Sequence, residues 1–462
     1  MCLGGSILGE STKGEAVLCH TMLMMGIAAK GPADRPPSIG HIDSDTHPVR
    51  CHWEDAEFAY QCDEVIPAIE EAWDVQIGVL GWPAPIMDTN GILDIYVAST
   101  GSTGGAYTYG PYEDQEKGDG RLGTHSYISI DPEYDTWIRW TMFHEFNHVL
   151  QFSIDVAEPA YVPWEGTATA SEFWTDSELT ALPVYISDFQ ASPFAGLLGD
   201  GWWLWDEFEI WSYYEYGATL WLLHLDAWYG DGAGSAGLDL WLNGAQESWV
   251  NEPDFIDASG QFTGDWASAW MDFSVERARL GTADAPEWAS EWTDPDYAIA
   301  VDASIDVTEF PADIRPAFEP LQTGAVYAEL TGLLPDQAFT IRVDGASKVR
   351  WGLLVVDGAD GDWVEDTSMS WIPENDSVVV GVVNLGSGSF DAEDRLKGEN
   401  IILHVHLGGD SGDGVFGKSD GCGCSASSGR GAGLWMVLMG LVGFTRRLSR
   451  SPTAPSDASA GV

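Results

Sequence analysis

The amino-acid sequence predicts an α+β protein in two folded parts, a helical part with a small mixed sheet and then a β-sandwich. Two observations support this prediction. Apolar residues recur at helical spacing in the first half of the chain, whereas from about residue 296 to 409 Val and Ile alternate with polar residues in short segments. The chain has 462 residues, of which 45% are hydrophobic and 12% aromatic, so it can bury a large core.

The helical part is expected to span residues 34–290 and the β-sandwich residues 291–409. In the first part we predict helices over 63–75, 207–229 and 265–280, and strands over 91–98 and 126–130. In the second part, short segments bounded by Gly, Pro, Asn and Asp predict strands over 325–330, 339–343, 351–356, 377–383 and 401–407.

Two features indicate an exported protein. Residues 1–33 have the pattern of a signal peptide, with Lys13 before a mostly apolar run and small residues where a signal peptidase can cleave. Cys51 and Cys62 flank the start of the folded region and can form one disulfide, which agrees with an oxidising exterior.

The end of the chain predicts a linker and a tail. Residues 410–430 are rich in Gly, Ser and Asp, which is typical of a flexible linker. The tail over 431–462 contains an apolar run that ends at Arg446 and Arg447. This run is shorter than the roughly 20 residues that a full membrane-spanning helix needs.

The chain is strongly acidic, with 73 acidic against 20 basic residues and a formal net charge of −53. This charge repels phosphates, so nucleic-acid binding is excluded. One interpretation of the acidity is a solvated surface adapted to a salty exterior. The other is calcium binding by Asp357, Asp360 and Asp362, although that segment lacks the full spacing of a calcium loop.

Residues 144–148 read His-Glu-Phe-Asn-His, an HExxH motif on a predicted helix. His144 and His148 lie four residues apart, so both imidazoles project from one helix face and can bind one Zn²⁺ ion. Glu145 lies beside that face and can move a proton from a zinc-activated water to a leaving amine. Apolar neighbours indicate that the motif is buried, and a metal ion offsets the cost of burying these polar side chains.

A zinc site of this type needs a third protein ligand, and the next predicted helix carries two candidates, Glu165 and Glu172. Enough chain follows His148 for one helix to end and a second to bring a carboxylate back to the metal. Gly166 and the small residues after it suit close packing of the two helices. In the favoured interpretation Glu165 is the ligand and Glu172 orients a ligand imidazole, whereas the alternative exchanges these roles.

The HExxH motif followed by Glu165-Gly166 resembles the gluzincin metallopeptidases, most strongly over residues 143–174. The resemblance implies a zincin-like fold, one Zn²⁺ ion bound by His144, His148 and Glu165, and Glu145 as the catalytic base. The spacing between motif and third ligand is a little shorter here than is usual for the aminopeptidase branch of that family.

That branch also carries a Tyr-Glu-Lys-Gly stretch, whose Tyr stabilises the oxyanion. The segment Tyr214-Glu215-Tyr216-Gly217 is similar, with Tyr216 in place of Lys, so Tyr214 and Tyr216 are candidate oxyanion donors; the alternative is that both are core aromatics. No Gly-x-Met-Glu-Asn segment precedes the motif. This absence favours an endopeptidase, in which residues 124–131 would be the edge strand that pairs with an extended substrate.

Residues 421–447 resemble the MYXO-CTERM sorting tails of bacteria. The matching features are Gly-Cys-Gly-Cys at 421–424, the short apolar run and the basic stop. The resemblance implies processing near Cys422 and Cys424, lipid attachment through one of these cysteines, and a protein held on the membrane at the outer cell surface by its C-terminal tail. The extra residues 448–462 depart from tails of this type, which usually end at the basic cluster.

The sequence therefore predicts a secreted or surface-anchored zinc metallopeptidase that acts on peptides or proteins as an endopeptidase. The alternative is a surface adhesin or binding protein, in which the β-rich part binds the partner and the zincin-like part holds a structural zinc. Glu145 argues against this alternative, because a structural zinc needs no base. Zinc-dependent hydrolysis of a non-peptide substrate is a third reading.

Overall fold

The computed structural model describes residues 35–99, 105–110, 123–132, 137–156, 158, 160–175, 182–244, 254–387 and 397–408. The expected signal peptide, the linker, and the tail with Cys422 and Cys424 lie outside these residues. The described part contains both helices and several sheets, so the predicted α+β class is confirmed.

The first sheet is mixed, and its strands lie in the order β1-β2-β3-β5-β4. The strands are β1 Gly40–Asp43, β2 Val49–Trp53, β3 Leu93–Val97, β4 Ala106–Tyr109 and β5 Tyr127–Ile130. Strands β2, β3 and β5 run parallel, and β1 and β4 pair antiparallel at the two edges. Two helices contribute to the core beneath the sheet, α1 (Ala59–Gln76) and α2 (Ile138–Ile154). A disulfide between Cys51 and Cys62, with a Cα–Cα distance of 5.6 Å, joins β2 to α1.

The edge of this sheet differs from the expectation, and the assignment of residues 124–131 as the edge strand is wrong. Strand β5 lies inside the sheet, between β3 and β4, and all its residues are buried. Among the described strands, β4 occupies the edge on this side. It covers only four residues, so its alternation is too short to be recognised in the sequence.

Helices fill most of the chain between the first sheet and residue 277. After α1 and α2 they are α3 Tyr161–Thr175, α4 Leu182–Ala191, α5 Gly201–Phe208, α6 Tyr214–Gly217, α7 Thr219–Trp228, α8 Ser235–Gly244, α9 Asp254–Thr263 and α10 Trp266–Arg277. The single helix predicted over 207–229 is wrong. Helix α5 ends before Glu209, which adopts a left-handed conformation with φ of 58°, and helical structure resumes only at Tyr214. The N–H of Tyr213 donates to Asp188 over 2.6 Å and so ties the intervening segment to α4.

Two further sheets follow. Their strands are β6 Ala303–Asp306, β7 Ala312–Ile314, β8 Ala325–Thr331, β9 Phe339–Asp344, β10 Trp351–Asp357, β11 Asp360–Glu365, β12 Ser368–Trp371, β13 Ser377–Asn384 and β14 Ile402–Leu407. One sheet has the order β11-β10-β13-β8-β6 and the other β12-β9-β14-β7. The two sheets share a hydrophobic cluster that includes Leu330, Ile341, Val380 and Val405. Strands thus lie where the alternating segments predict them.

A hydrophobic core continues from the helices into the first of these two sheets. Trp270 and Phe273 on α10 belong to the same cluster as Tyr327 and Leu354. The indole of Trp270 donates to the backbone oxygen of Thr323 over 2.8 Å. All the described residues consequently belong to one compact unit. Within these residues, no helix combines the length and apolar character needed to cross a membrane.

Candidate metal centre

The two motif histidines lie on one face of α2 and are both buried. Their Nε2 atoms are only 3.1 Å apart, and the rings meet edge to face. This follows from the helix itself, because residues four apart project in nearly the same direction. The burial of α2 also shields both imidazoles from bulk water, with His144 4% exposed.

Helix α3 supplies a carboxylate to the same point. Oε2 of Glu165 lies 3.1 Å from Nε2 of His144 and 3.4 Å from Nε2 of His148. The three ligand atoms all lie within 4.8 Å of one another. The other oxygen of Glu165, Oε1, is buried without a hydrogen-bond partner among the described residues. An unpaired buried carboxylate oxygen is costly, and two imidazole nitrogens beside it are the donors that zinc accepts. The donor set therefore suits a divalent metal ion.

Helix α3 packs at Gly166 against the helices behind the site, at distances that a Cβ atom would fill in ordinary van der Waals contact. A Cβ atom there would lie 3.4 Å from the backbone oxygen of Glu215 and 3.5 Å from the backbone nitrogen of Thr219. The hydroxyl of Thr219 donates to the backbone oxygen of Gly166 over 2.7 Å. The close contact expected at Gly166 is thus made against α6 and α7 and not against α2. It holds the start of α3, and with it Glu165, in place.

Each imidazole is also held through its second nitrogen. Nδ1 of His144 lies 2.5 Å from Oε1 of Glu172, and Nδ1 of His148 lies 2.6 Å from Oε1 of Gln151. The amide of Gln151 in turn donates to the backbone oxygen of Trp164 over 3.0 Å, which sets its orientation. A proton on each Nδ1 leaves the Nε2 lone pairs directed at the shared point, as metal ligands require. Glu172 therefore takes the supporting position and Glu165 the ligand position.

The two glutamates differ in the pKa of their carboxyl groups. Burial alone raises the pKa of Glu165, but when no metal ion is bound and the histidines are protonated, the charge of His148 and hydrogen bonds from both histidines outweigh burial and lower the pKa to about 2. Burial also raises the pKa of Glu172. The hydrogen bond from His144 lowers this pKa by less than burial raises it, so the pKa is about 7. Glu165 is consequently anionic at neutral pH, which is the form that binds a cation.

Glu145 is fully buried beside the histidines, and a residue from the sheet holds its carboxylate. The hydroxyl of Thr108 on β4 lies 2.7 Å from Oε2 of Glu145 and 3.0 Å from its backbone oxygen. Thr108 is itself buried. Thr108 could not be identified from the sequence, because no local pattern connects a residue of a short edge strand to a helix that follows much later in the chain. Gln151 was also missed, although its position one helical turn after His148 could have indicated it.

Of the two candidate oxyanion donors, the structure brings only Tyr216 to the histidines. Its ring stacks against His144 with a centroid separation of 5.8 Å. The hydroxyl of Tyr214 instead donates to the backbone oxygen of Gly196 over 2.6 Å, inside the core. Residues two apart in a helix point about 200° apart, so both rings cannot face the same site. Burial raises the pKa of Tyr214, in keeping with a core position.

The acidic residues considered for calcium do not form a metal-binding group among the described residues. Asp357 is the last residue of β10 and pairs with Asp360, the first residue of β11. Both carboxylate oxygens of Asp357 accept hydrogen bonds, from Glu374 N over 2.6 Å and from Asn375 N over 3.1 Å. Asp357 thus anchors a loop. Among the described residues, His144, His148 and Glu165 are the group of three or more side chains placed to bind a metal ion.

Comparison with known proteins identifies no family. No protein-family model matches the chain, and no curated protein is similar to it. Among solved structures, it is distantly similar to a periplasmic inhibitor of g-type lysozyme from Aeromonas hydrophila, with 13% identity over 24% of this chain and 100% of the inhibitor, at a TM-score of 0.17. A 4-O-methyl-α-glucuronidase of family GH115 shares 9% identity over 60% of this chain and 46% of its own, at a TM-score of 0.14. Scores this low carry no argument about fold or function.

Proposed function

We propose that this protein is a zinc-dependent hydrolase that cleaves peptide bonds, with His144, His148 and Glu165 as the metal ligands. The observation that carries the proposal is the convergence of these three side chains, with one oxygen of Glu165 buried and unpaired. Catalytic zinc sites keep three protein ligands and leave a position for water or substrate. Structural zinc sites instead use four protein ligands, and the described residues offer three.

A zinc ion bound there would act as a Lewis acid that polarises the scissile carbonyl and acidifies water. Glu145 accepts a proton from the attacking water, a C–O bond forms as the C–N bond breaks, and Glu145 delivers the proton to the departing nitrogen. Thr108 keeps the carboxylate of Glu145 in one orientation through the 2.7 Å hydrogen bond. Tyr216, whose ring lies against His144, would donate a hydrogen bond from its hydroxyl to the negative charge that develops on the carbonyl oxygen of the substrate.

The sheet edge supports a peptide as the substrate. Strand β4 carries Thr108 next to Glu145, and among the described strands it has only one neighbour, β5. An extended peptide can add to such an edge through main-chain hydrogen bonds, which would place an internal peptide bond near the metal centre. This arrangement favours an endopeptidase. Strand β4, and not residues 124–131, would be the edge strand that pairs with the substrate.

The same proposal covers architecture and location. The mixed sheet with α2 and α3 would be a zincin-like domain of the gluzincin type, and the two later sheets with their shared core a β-sandwich. The Cys51–Cys62 disulfide supports an extracellular protein, which the export signal and the sorting tail of the sequence also predict.

Metal analysis combined with a peptide-library cleavage profile tests this function. The purified full-length chain is expected to contain one zinc ion and to cleave internal peptide bonds. Glu145→Gln should keep the zinc and lose activity by about 10²–10⁴-fold, the usual contribution of a general base. Glu165→Gln should lose most of the zinc, because a neutral amide replaces an anionic ligand. A zinc-loaded protein that cleaves no peptide would refute the proposal and favour the adhesin alternative.

A further inference from the structure

A row of aromatic rings leads away from the metal centre. It begins at Tyr216, whose ring stacks on His144, and continues with centroid separations of 6.2 Å to Tyr213, 6.3 Å from there to Trp211, and 6.1 Å on to Trp205. These four residues, Tyr216, Tyr213, Trp211 and Trp205, are called the aromatic strip below. The last three contacts are close to perpendicular, so the rings present both faces and edges along the row.

The aromatic strip passes from the interior to the surface. Tyr216 is buried, Tyr213 is partly buried, and Trp211 and Trp205 are 53% and 44% exposed. The two indoles contact each other and form an exposed apolar patch, and apolar patches rimmed by polar residues are typical of binding sites. The left-handed turn at Glu209, which ends α5, carries the chain from Trp205 to Trp211 and so determines their approach.

The segment of the chain that contains the aromatic strip carries acidic side chains and no Lys or Arg. No Lys or Arg occurs between Arg139 and Arg277, a segment that includes every metal ligand and the whole strip. Asp206, Glu207 and Glu209 lie directly beside Trp205 in the chain and are exposed. A surface of this sign attracts cations and repels acidic ligands.

We propose that the aromatic strip is a substrate subsite that selects peptides carrying Lys or Arg side chains. A cationic side chain gains twice at this surface, from the faces of the indole rings and from the adjacent carboxylates. A neutral aromatic side chain gains only from the rings, and an acidic one is repelled. The strip is in ring-to-ring contact with the metal centre through Tyr216, so one substrate can place a side chain at the indoles and its scissile bond at the metal. The inference rests on the proposed peptidase function and defines its substrate class.

Binding measurements on the zinc-loaded, full-length Glu145→Gln protein test the inference without turnover. Fluorescent peptides that differ at one position, with Arg, Lys, citrulline, Phe or Glu, are titrated by anisotropy. We expect the Arg and Lys peptides to bind about tenfold more tightly than the citrulline peptide and to weaken as NaCl is raised. In this background, Trp211→Ala should weaken binding of the Arg peptide by about two- to fivefold, the contribution of one exposed cation–π contact.

Two matched controls lie on α1, away from the strip. Tyr60→Ala removes an exposed aromatic ring, since Tyr60 is 53% exposed like Trp211, and should leave the preference unchanged. Near the strip, the double substitution Asp206→Asn with Glu207→Gln removes two charges. It should reduce both the preference for the Arg peptide over the citrulline peptide and the salt dependence of that preference. Removing two charges from the exposed pair Asp63 and Glu64, as Asp63→Asn with Glu64→Gln, should change neither.

The outcomes separate this inference from the proposed function. Equal binding of the Arg and citrulline peptides, tighter binding of the Phe peptide, or an unchanged preference in Trp211→Ala overturns the subsite. Peptide hydrolysis by the wild-type protein can still occur in each of those cases. If instead the Arg preference is present and depends on Trp211, but the wild-type protein hydrolyses no peptide, the subsite stands as a cationic-peptide binding surface and the peptidase fails.

Discussion

Replacing Thr108 by valine removes a hydrogen bond between the sheet and the catalytic base and changes little else. Valine has nearly the same shape, and Thr108 is 1% exposed, so packing is largely kept. The lost interaction is a 2.7 Å hydrogen bond to Oε2 of Glu145. Hydrogen bonds to charged groups contribute about 1.5–3 kcal/mol. If the transition state loses this stabilisation, kcat falls by about 10- to 150-fold, because each 1.36 kcal/mol corresponds to a tenfold change in rate.

The assay is steady-state cleavage of a quenched fluorescent peptide, with zinc content measured on the same sample. We expect kcat to fall while KM and zinc content stay close to the wild-type values, because Thr108 donates to the base, whereas Glu172 and Gln151 hold the two histidine ligands. Thr108→Ser keeps the hydroxyl and should retain activity within about threefold. A Thr108→Val protein as active as the wild type, with normal zinc content, would show that the sheet does not position Glu145.

Three further outcomes follow from other contacts. Gln151→Ala removes the acceptor that orients His148 and should weaken zinc affinity by about 10- to 100-fold in a chelator competition assay, with an unchanged circular dichroism spectrum. Cys51→Ser with Cys62→Ser should lower the free energy of unfolding by about 3 kcal/mol, because the disulfide closes a short loop; equal urea midpoints would contradict this. Burial, the largest cause, raises the pKa of Glu215 from 4.5 to about 8. A raised carboxyl pKa destabilises the folded state once the group ionises, so the free energy of unfolding of metal-free wild-type protein should fall as the pH rises from 4.5 to 8. The Glu215→Gln variant should be more stable than the wild type at pH 9, by at most about 5 kcal/mol, and similarly stable at pH 4.5.

Several elements were predictable because they depend on local periodicity. The placement of His144 and His148 on one face follows from the helical repeat, and the structure realises it with Nε2 atoms 3.1 Å apart. Among the later strands, β14 follows from two-residue alternation between buried and more exposed positions, whereas β10 is buried on both faces and follows from its continuous apolar run. The same reasoning failed at Glu209, where a single left-handed residue divides what the apolar pattern indicates as one helix.

The sequence by itself determined which functional groups α2 carries, two imidazoles four residues apart and the carboxylate of Glu145. It also identified Glu165 and Glu172 as candidates for the third metal ligand. Only the tertiary structure decided that Glu165 and not Glu172 faces the shared point, that Tyr216 and not Tyr214 reaches His144, and that Thr108 holds Glu145. The physical reason is that a helix or strand repeat sets which side chains share a face, whereas the faces that meet are set by packing between segments far apart in the chain.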